Sequence, residues 1–160
     1  MIKNTIAIQN LPNGHSDRLM SLHLPLHDYQ FITIISVYAP TLQADMDVKE
    51  AFYNTELRSI LTGINKDDKI LIMGDFNARV GRDYDSNCWP RVRQHGIGNC
   101  NDNGRLLLEL CAEMDLCITN TLFQQKARFK TTWRHPRSKH WHLLDYIIVW
   151  QQDATDVLHT

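Results

Sequence analysis

The stretch Lys69-Ile70-Leu71-Ile72-Met73-Gly74-Asp75-Phe76-Asn77 decides how the rest of the chain is read. Ile70, Leu71 and Ile72 make a short aliphatic run framed by Lys69 and Gly74, which reads as a buried strand of an α/β sheet. Such sheets present their chemistry where strands end, and Asp75 and Asn77 fall at that end. Side-chain alternation points both the same way, so a carboxylate and an amide meet in one crevice, with Gly74 letting the backbone turn closely beside them. That pair can hold a water and a phosphate together. The plain alternative is an Asx turn that merely leaves a strand.

Working outward, the residues upstream predict a hairpin. Thr5 to Ile8 read as a short strand, and Leu11-Pro12-Asn13-Gly14 supply turn chemistry. Leu19, Met20, Leu22, Leu24 and Leu26 follow with partial alternation, and Phe31 to Val37 is nearly continuous in apolar character. The second run suits a strand covered on both faces, and it ends in Tyr38-Ala39-Pro40. A Tyr at such a terminus packs a rim unless a partner gives it work. Asp47 with Glu50 resembles a capping box, and Phe52, Tyr53, Leu57, Ile60, Leu61 and Ile64 recur at helical spacing up to Gly63.

Downstream, Ala78 to Asn101 reads as a long polar loop of the kind that is usually functional or mobile. Asn101, Asp102 and Asn103 offer an N-cap to a helix whose buried stripe is Leu106, Leu107, Leu110, Cys111 and Met114. Leu116 to Asn120 returns as a strand. The last strand, Leu143 to Trp150, carries Asp145 among Leu143, Leu144, Ile147 and Ile148. A carboxylate there is costly to bury unless it is paired or hydrogen-bonded, so it asks for a His, an Arg, a metal or a strand-end amide.

At 160 residues, with 43% hydrophobic and 22% charged residues, the chain predicts one ordinary globular domain rather than a disordered or fibrous one. No apolar stretch approaches the roughly 18 residues that span a bilayer, and Lys3, Asn4 and Thr5 interrupt any leader core, so no membrane partner is expected. The expectation is a soluble, intracellular protein, nuclear or cytoplasmic. Cys88, Cys100, Cys111 and Cys117 lack a C-x-x-C pair and read as reduced thiols. The net charge of −1 hides an asymmetry. From Lys126 to Leu144 there are six Lys or Arg residues, three histidines and no acid, which makes one strongly electropositive stretch. Strand and helix alternate in the second half after a hairpin-like first half, and this predicts a mixed sheet with helices packed on it.

Val37-Tyr38-Ala39-Pro40, then Met73-Gly74-Asp75-Phe76-Asn77, then Leu144-Asp145-Tyr146-Ile147-Ile148-Val149, in this order, resembles the endonuclease/exonuclease/phosphatase family. Gly74 to Gly81, Cys100 to Gly104 and Thr132 to Tyr146 are most similar to its apurinic-endonuclease-like members carried by non-LTR retrotransposons and to craniofacial development protein 2-like sequences. The resemblance implies an α/β (α+β) fold, a four-layered sandwich of two mixed sheets with helices outside. It implies a Mg²⁺-dependent phosphodiester hydrolase acting on DNA. Tyr38 would hydrogen-bond the scissile phosphate, Asp75 would align and deprotonate the attacking water, Asn77 would position phosphate and water, and Asp145 would orient a catalytic histidine. Phosphodiester cleavage needs such groups: an in-line nucleophile, neutralised phosphoryl charge and a stabilised leaving oxygen.

The sequence also departs from that pattern. The family's metal-binding Glu has no counterpart, since no Glu precedes Glu50, and its closing Ser-Asp-His or Thr-Asp-His is not found before Thr160. Residues 1–160 therefore read as one partial, truncated domain. His135, His140 and His142 with Asp145 superficially suggest a metal site. His142 and Asp145 are only three apart on an extended segment, however, and the basic neighbours repel a cation, so no metal ligand is assigned. Phosphate contact is the better use of Arg137, Lys139 and His140, with a solvated loop as the plain alternative. Three functions stay open: a Mg²⁺-dependent endonuclease weak or inactive alone, a catalytically dead remnant that binds nucleic acid weakly, and a fossil fragment without a role. Phosphoinositide and sphingolipid phosphatases share the superfamily, but Thr132 to Tyr146 weighs against them. Uncovered sheet edges predict self-association.

Overall fold

The computed structural model describes residues 11–28, 30–81 and 97–160. The strand expected at Thr5 to Ile8, Cys88, and the part of the long loop from 82 to 96 lie outside the described residues. The chain runs β1 (Asn13–Gly14), β2 (Leu19–Pro25) and β3 (Phe31–Tyr38), then α1 (Met46–Glu50) through a π-helical segment (Ala51–Leu57) into α2 (Arg58–Thr62). β4 (Lys69–Asp75), α3 (Asp102–Met114) and β5 (Leu116–Ile118) follow, then α4 (Ala127–Lys130), β6 (Trp133–Arg134), β7 (Trp141–His142) and β8 (Asp145–Trp150).

Among the described residues six strands form one mixed sheet in the order β1-β2-β3-β4-β8-β5, and β6 with β7 makes a separate hairpin. β2 and β3 pair antiparallel, as the alternating runs predict, while β3 and β4 pair parallel. A parallel pair needs a crossover, and the helix from Met46 to Thr62 supplies it. β8 then enters antiparallel between β4 and β5.

Helices cover one face of this sheet. Phe52, Tyr53, Leu57 and Leu61 meet Leu106, Leu107, Leu110 and Cys111 over the inward residues Ile35, Val37, Ile70, Ile72, Tyr146 and Ile148, and all of them are buried. Each such side chain contributes about 1.5–3 kcal/mol by leaving water. The α3 stripe is wider than its predicted positions, because Leu108 is buried as well.

Several expectations are corrected. Asn13–Gly14 is not only a turn; it pairs with Ser21 and Met20 as a two-residue strand. The capping box does not form: Asp45 caps α1 without a side-chain hydrogen bond, and only its carbonyl accepts, from Lys49 N–H. β5 stops at Ile118, and Thr119–Thr121 turns as a 3₁₀ segment in which the Thr121 hydroxyl donates to Ile118 O. The stretch after Asn77 does not begin as a polar loop, because Ala78 and Val80 are buried in the core.

The largest correction concerns β3, which is not covered on both faces. Its burial alternates, with Thr33, Ile35 and Val37 inward and Ile32, Ile34 and Ser36 outward. Register places Leu22 and Leu24 on β2 opposite Ile34 and Ile32, Leu71 and Met73 on β4 opposite Ile34 and Ser36, and Ile147 on β8 opposite Met73. Among the described residues this second face is therefore an apolar surface left half-open. The continuous hydrophobicity of β3 reports a face that wants cover, and here only one side has it.

Candidate active site

The upper end of this sheet is where the chemistry-bearing residues gather. Tyr38, the last residue of β3, is the register partner of Asp75, the last of β4, and Asp75 is in turn the partner of Asp145, the first of β8. Neighbouring strands lie about 4.8 Å apart and opposed residues share a face, so the three side chains stand in one row. Tyr38 is 55% exposed at the rim and its backbone is tied to Arg18, whose guanidinium donates to Tyr38 O while Arg18 O accepts from Tyr38 N–H. Asp145 is half-buried, and Thr132 Oγ1 accepts from its N–H at 3.4 Å. It does not interrupt a buried strand, as the sequence predicts, but is the first residue of one, half-buried at the strand's end, where water tempers the cost of its charge.

The five residues after Asp75 are held by their backbone. Asp75 Oδ1 accepts from Asn77 N–H at 2.8 Å, and Asn77 takes a left-handed φ of 47° that Asn tolerates better than most residues. Asn77 Nδ2 donates to Ala39 O at 2.8 Å, stitching the exits of β3 and β4 together. Phe76 O accepts from the Tyr53 hydroxyl at 2.7 Å, and Phe76 N–H donates to Leu144 O at 3.0 Å. Asn103 Nδ2 donates to Asn77 O and Pro40 O, and Asn101 Oδ1 accepts from both Arg79 N–H and Gly104 N–H. The Tyr146 hydroxyl reaches Ala78 O and Leu143 O. A segment without regular structure is thus as fully hydrogen-bonded as a strand, and it presents Asp75 and Asn77 without further ordering cost.

Asp75 and this segment floor a cleft of about 620 Å³. Asp75, Asn77, Arg79, Asn101 and Leu144 form its base, Tyr38, Thr41, Leu42 and Gln43 one wall, and Trp133, His135, Pro136 and His142 of the β6–β7 hairpin the other. Asp145 stands beside Asp75 and does not line the cleft itself. Arg137, Lys139 and His140 sit at the exposed tip of the hairpin, outside the lining. Sequence reasoning misses Arg79, although the alternation that aligns Asp75 with Asn77 reaches it in one further step. It weighs His135 and His142 as metal ligands and as part of the electropositive stretch, and no sequence signal places Thr41 or Gln43 here.

Burial pushes the Asp75 carboxyl above its ordinary value; the Asn77 N–H opposes the rise and the charge of Asp145 adds to it. A carboxyl raised in the folded state binds more protons there than in the unfolded chain. Stability is then lost as pH climbs from the unfolded carboxylate value through the raised one. Asp75→Asn keeps the acceptor for Asn77 N–H and removes the charge, so it is expected to be at least as stable as the wild type at pH 7. It is also expected to gain less on acidification, as paired urea melts at neutral and mildly acidic pH would show. A variant less stable at pH 7 would contradict this.

Among the described residues no group of three His, Cys, Asp or Glu side chains is placed to hold a metal ion. Asp75, Asn77 and Asp145 alone do not make a complete set of hard ligands for Mg²⁺. Among the described residues Cys100, Cys111 and Cys117 form no disulfide. Among the described residues no helix is long and apolar enough to cross a membrane.

A mixed sheet with helices on one face and an Asp-x-Asn exit beside a strand-end Tyr and Asp defines an endonuclease/exonuclease/phosphatase-type domain. The sequence belongs to the endonuclease-reverse transcriptase family, whose model matches residues 32–160. It is 37% identical over 156 residues to craniofacial development protein 2 of Bos taurus, and 36% identical to that of Tragulus javanicus, in each case over 98% of this chain. The chain spans about a quarter of the length of these curated relatives, 25% and 26%. Its fold is similar to that of the AP endonuclease LMAP from Leishmania major, with a TM-score of 0.59 at 15% identity, over 89% of this chain and 50% of that one.

Proposed function

We propose that the cleft is the phosphodiester site of a nucleic-acid endonuclease domain of retrotransposon descent, of which residues 1–160 form one partial domain. The observation that carries this reading is the register row Tyr38–Asp75–Asp145, with Asn77 locked beside it. In it Tyr38 donates to the scissile phosphate, Asp75 aligns and deprotonates the attacking water, Asn77 orients both, and Asp145 positions a histidine. Arg137, Lys139 and His140 at the hairpin tip meet the backbone farther along the strand. The exposed Trp133 and Trp141 offer faces on which bases stack.

Mg²⁺ is the cofactor this class of chemistry calls for, and the chain's own residues supply only part of its shell. Losing one stabilising group costs about 10²-fold or more in rate, and losing several that act together approaches complete loss. The polypeptide by itself is therefore expected to bind nucleic acid weakly and in a salt-sensitive way while cleaving little or nothing. A nicked-plasmid time course with Mg²⁺ tests this, with Asp75→Ala as the control. Nicking abolished by Asp75→Ala would show a working site and overturn the inactive reading.

The half-open face bearing Leu22, Leu24, Ile32, Ile34, Leu71, Met73 and Ile147 supports a second proposal, that the purified chain self-associates. Sedimentation velocity is expected to show concentration-dependent association, reduced by Leu71→Glu. A strictly monomeric chain with a sharp melt would contradict it.

A further inference from the structure

The cleft contains a positive corner that the proposed chemistry does not use. Arg79 and His142 line it from two different elements, the exit of β4 and the strand β7, with His135 beside them. Arg79 is aimed by its backbone, whose N–H and C=O are both taken by Asn101. None of the ion pairs formed among the described residues involves its guanidinium. His142 is held from the other side, since it is the register partner of Trp133 and their ring centroids lie 5.8 Å apart. A guanidinium and an imidazole brought together from separate elements, two residues beyond Asn77, disfavour a second positive charge on the ring until something anionic lies between them.

We infer that Arg79 and His142 form an anion subsite for a backbone phosphate next to the scissile one, and that this subsite takes up a proton when the phosphate binds. The inference rests on the phosphodiester reading of the cleft and specifies how the strand is held there. Partial burial lowers the proton affinity of His142, and the charges of Arg79, His135 and His140 lower it further. Those three are the groups facing it from the β4 exit and from its own hairpin, while Asp75 lies across the same cleft. In the free protein these influences favour the neutral imidazole. A phosphate between it and Arg79 supplies the missing negative charge and raises its proton affinity. Affinity must then rise as pH falls through the interval between the free and bound values, by up to about tenfold per pH unit.

The test is binding of a short fluorescein-labelled single-stranded DNA to the full chain, read by anisotropy against salt and between about pH 7.5 and pH 6. Arg79→Gln, which keeps the aliphatic stem, is expected to weaken binding about tenfold and to lower the salt slope by about one. His142→Gln is expected to flatten the pH dependence with little change at pH 7.5. Arg137→Ala at the hairpin tip is expected to lower the salt slope and leave the pH dependence intact, and Asp75→Asn separates any contribution from that carboxyl. Melting curves confirm that each variant folds. Inorganic phosphate titrated against the His142 imidazole NMR signal reads the subsite without substitution, and its titration midpoint is expected to move up. DNA binding that Arg79→Gln and His142→Gln both leave unchanged, or a His142 signal indifferent to phosphate, overturns the subsite and spares the phosphodiester reading. A wild-type chain that binds no DNA at low salt overturns both.

Discussion

Gly74→Ala is expected to destabilise the fold by about 3 kcal/mol or more. Gly74 has φ 140°, and a Cβ built on it would lie 2.0 Å from Val37 O and 2.9 Å from Val37 C. Both atoms belong to the backbone of β3, which pairs with β4 through the register Val37↔Gly74. No flexible side chain can swing away, so the two strands must part at the centre of the sheet or the substituted residue must leave that conformation. Backbone strain of this kind costs about 1–3 kcal/mol alone, and lost strand pairing adds to it. A domain this size commonly holds only about 5–15 kcal/mol in total. Urea denaturation followed by far-UV circular dichroism would show a collapsed midpoint. A midpoint equal to that of the wild type would refute the account.

The second large effect is expected at Phe76, the residue between the two site side chains. It is fully buried, packs edge-on against Tyr146 at 6.1 Å between centroids, and its carbonyl accepts from Tyr53. Phe76→Ala removes the ring from a core that α3 and β8 close on either side, at a cost of about 3–5 kcal/mol for a cavity that cannot collapse. Phe76→Leu fills most of that volume and is expected to cost about 1.5 kcal/mol or less. The comparison tells packing from contact with a ligand. If the Ala and Leu variants melt alike, the ring is not a core anchor, and the Gly-Asp-Phe-Asn segment is held by its hydrogen bonds alone.

Legibility varied with the kind of residue. Ile70 to Ile72 announced a strand because three aliphatic residues before Gly74 have few other uses, and α3 announced itself through Asn101 and a leucine stripe. Tyr38 and Asp75 are legible because each closes an apolar run, and Asp145 because it interrupts one, where a polar group is expensive unless it is used. Arg79, His142 and Trp133 gave no such signal. Their role comes from a hairpin that folds over the floor from more than 50 residues away in sequence. A charged or aromatic residue in a polar stretch looks the same whether it faces a cleft or water.

The sequence by itself determined the main strands and helices, the family and the strand-end residues, because apolar periodicity and the cost of a misplaced carboxylate are local properties of the chain. Only the tertiary structure decided that Tyr38, Asp75 and Asp145 are register neighbours, since one residue of slip in β4 would have turned Asp75 to the helical side of the sheet. It decided too that β3 has one open face, that Arg137 and Lys139 stand outside the cleft and that Arg79 stands within it. Those are facts of long-range pairing, and each was settled when β8 and the β6–β7 hairpin docked on strands laid down far earlier in the chain.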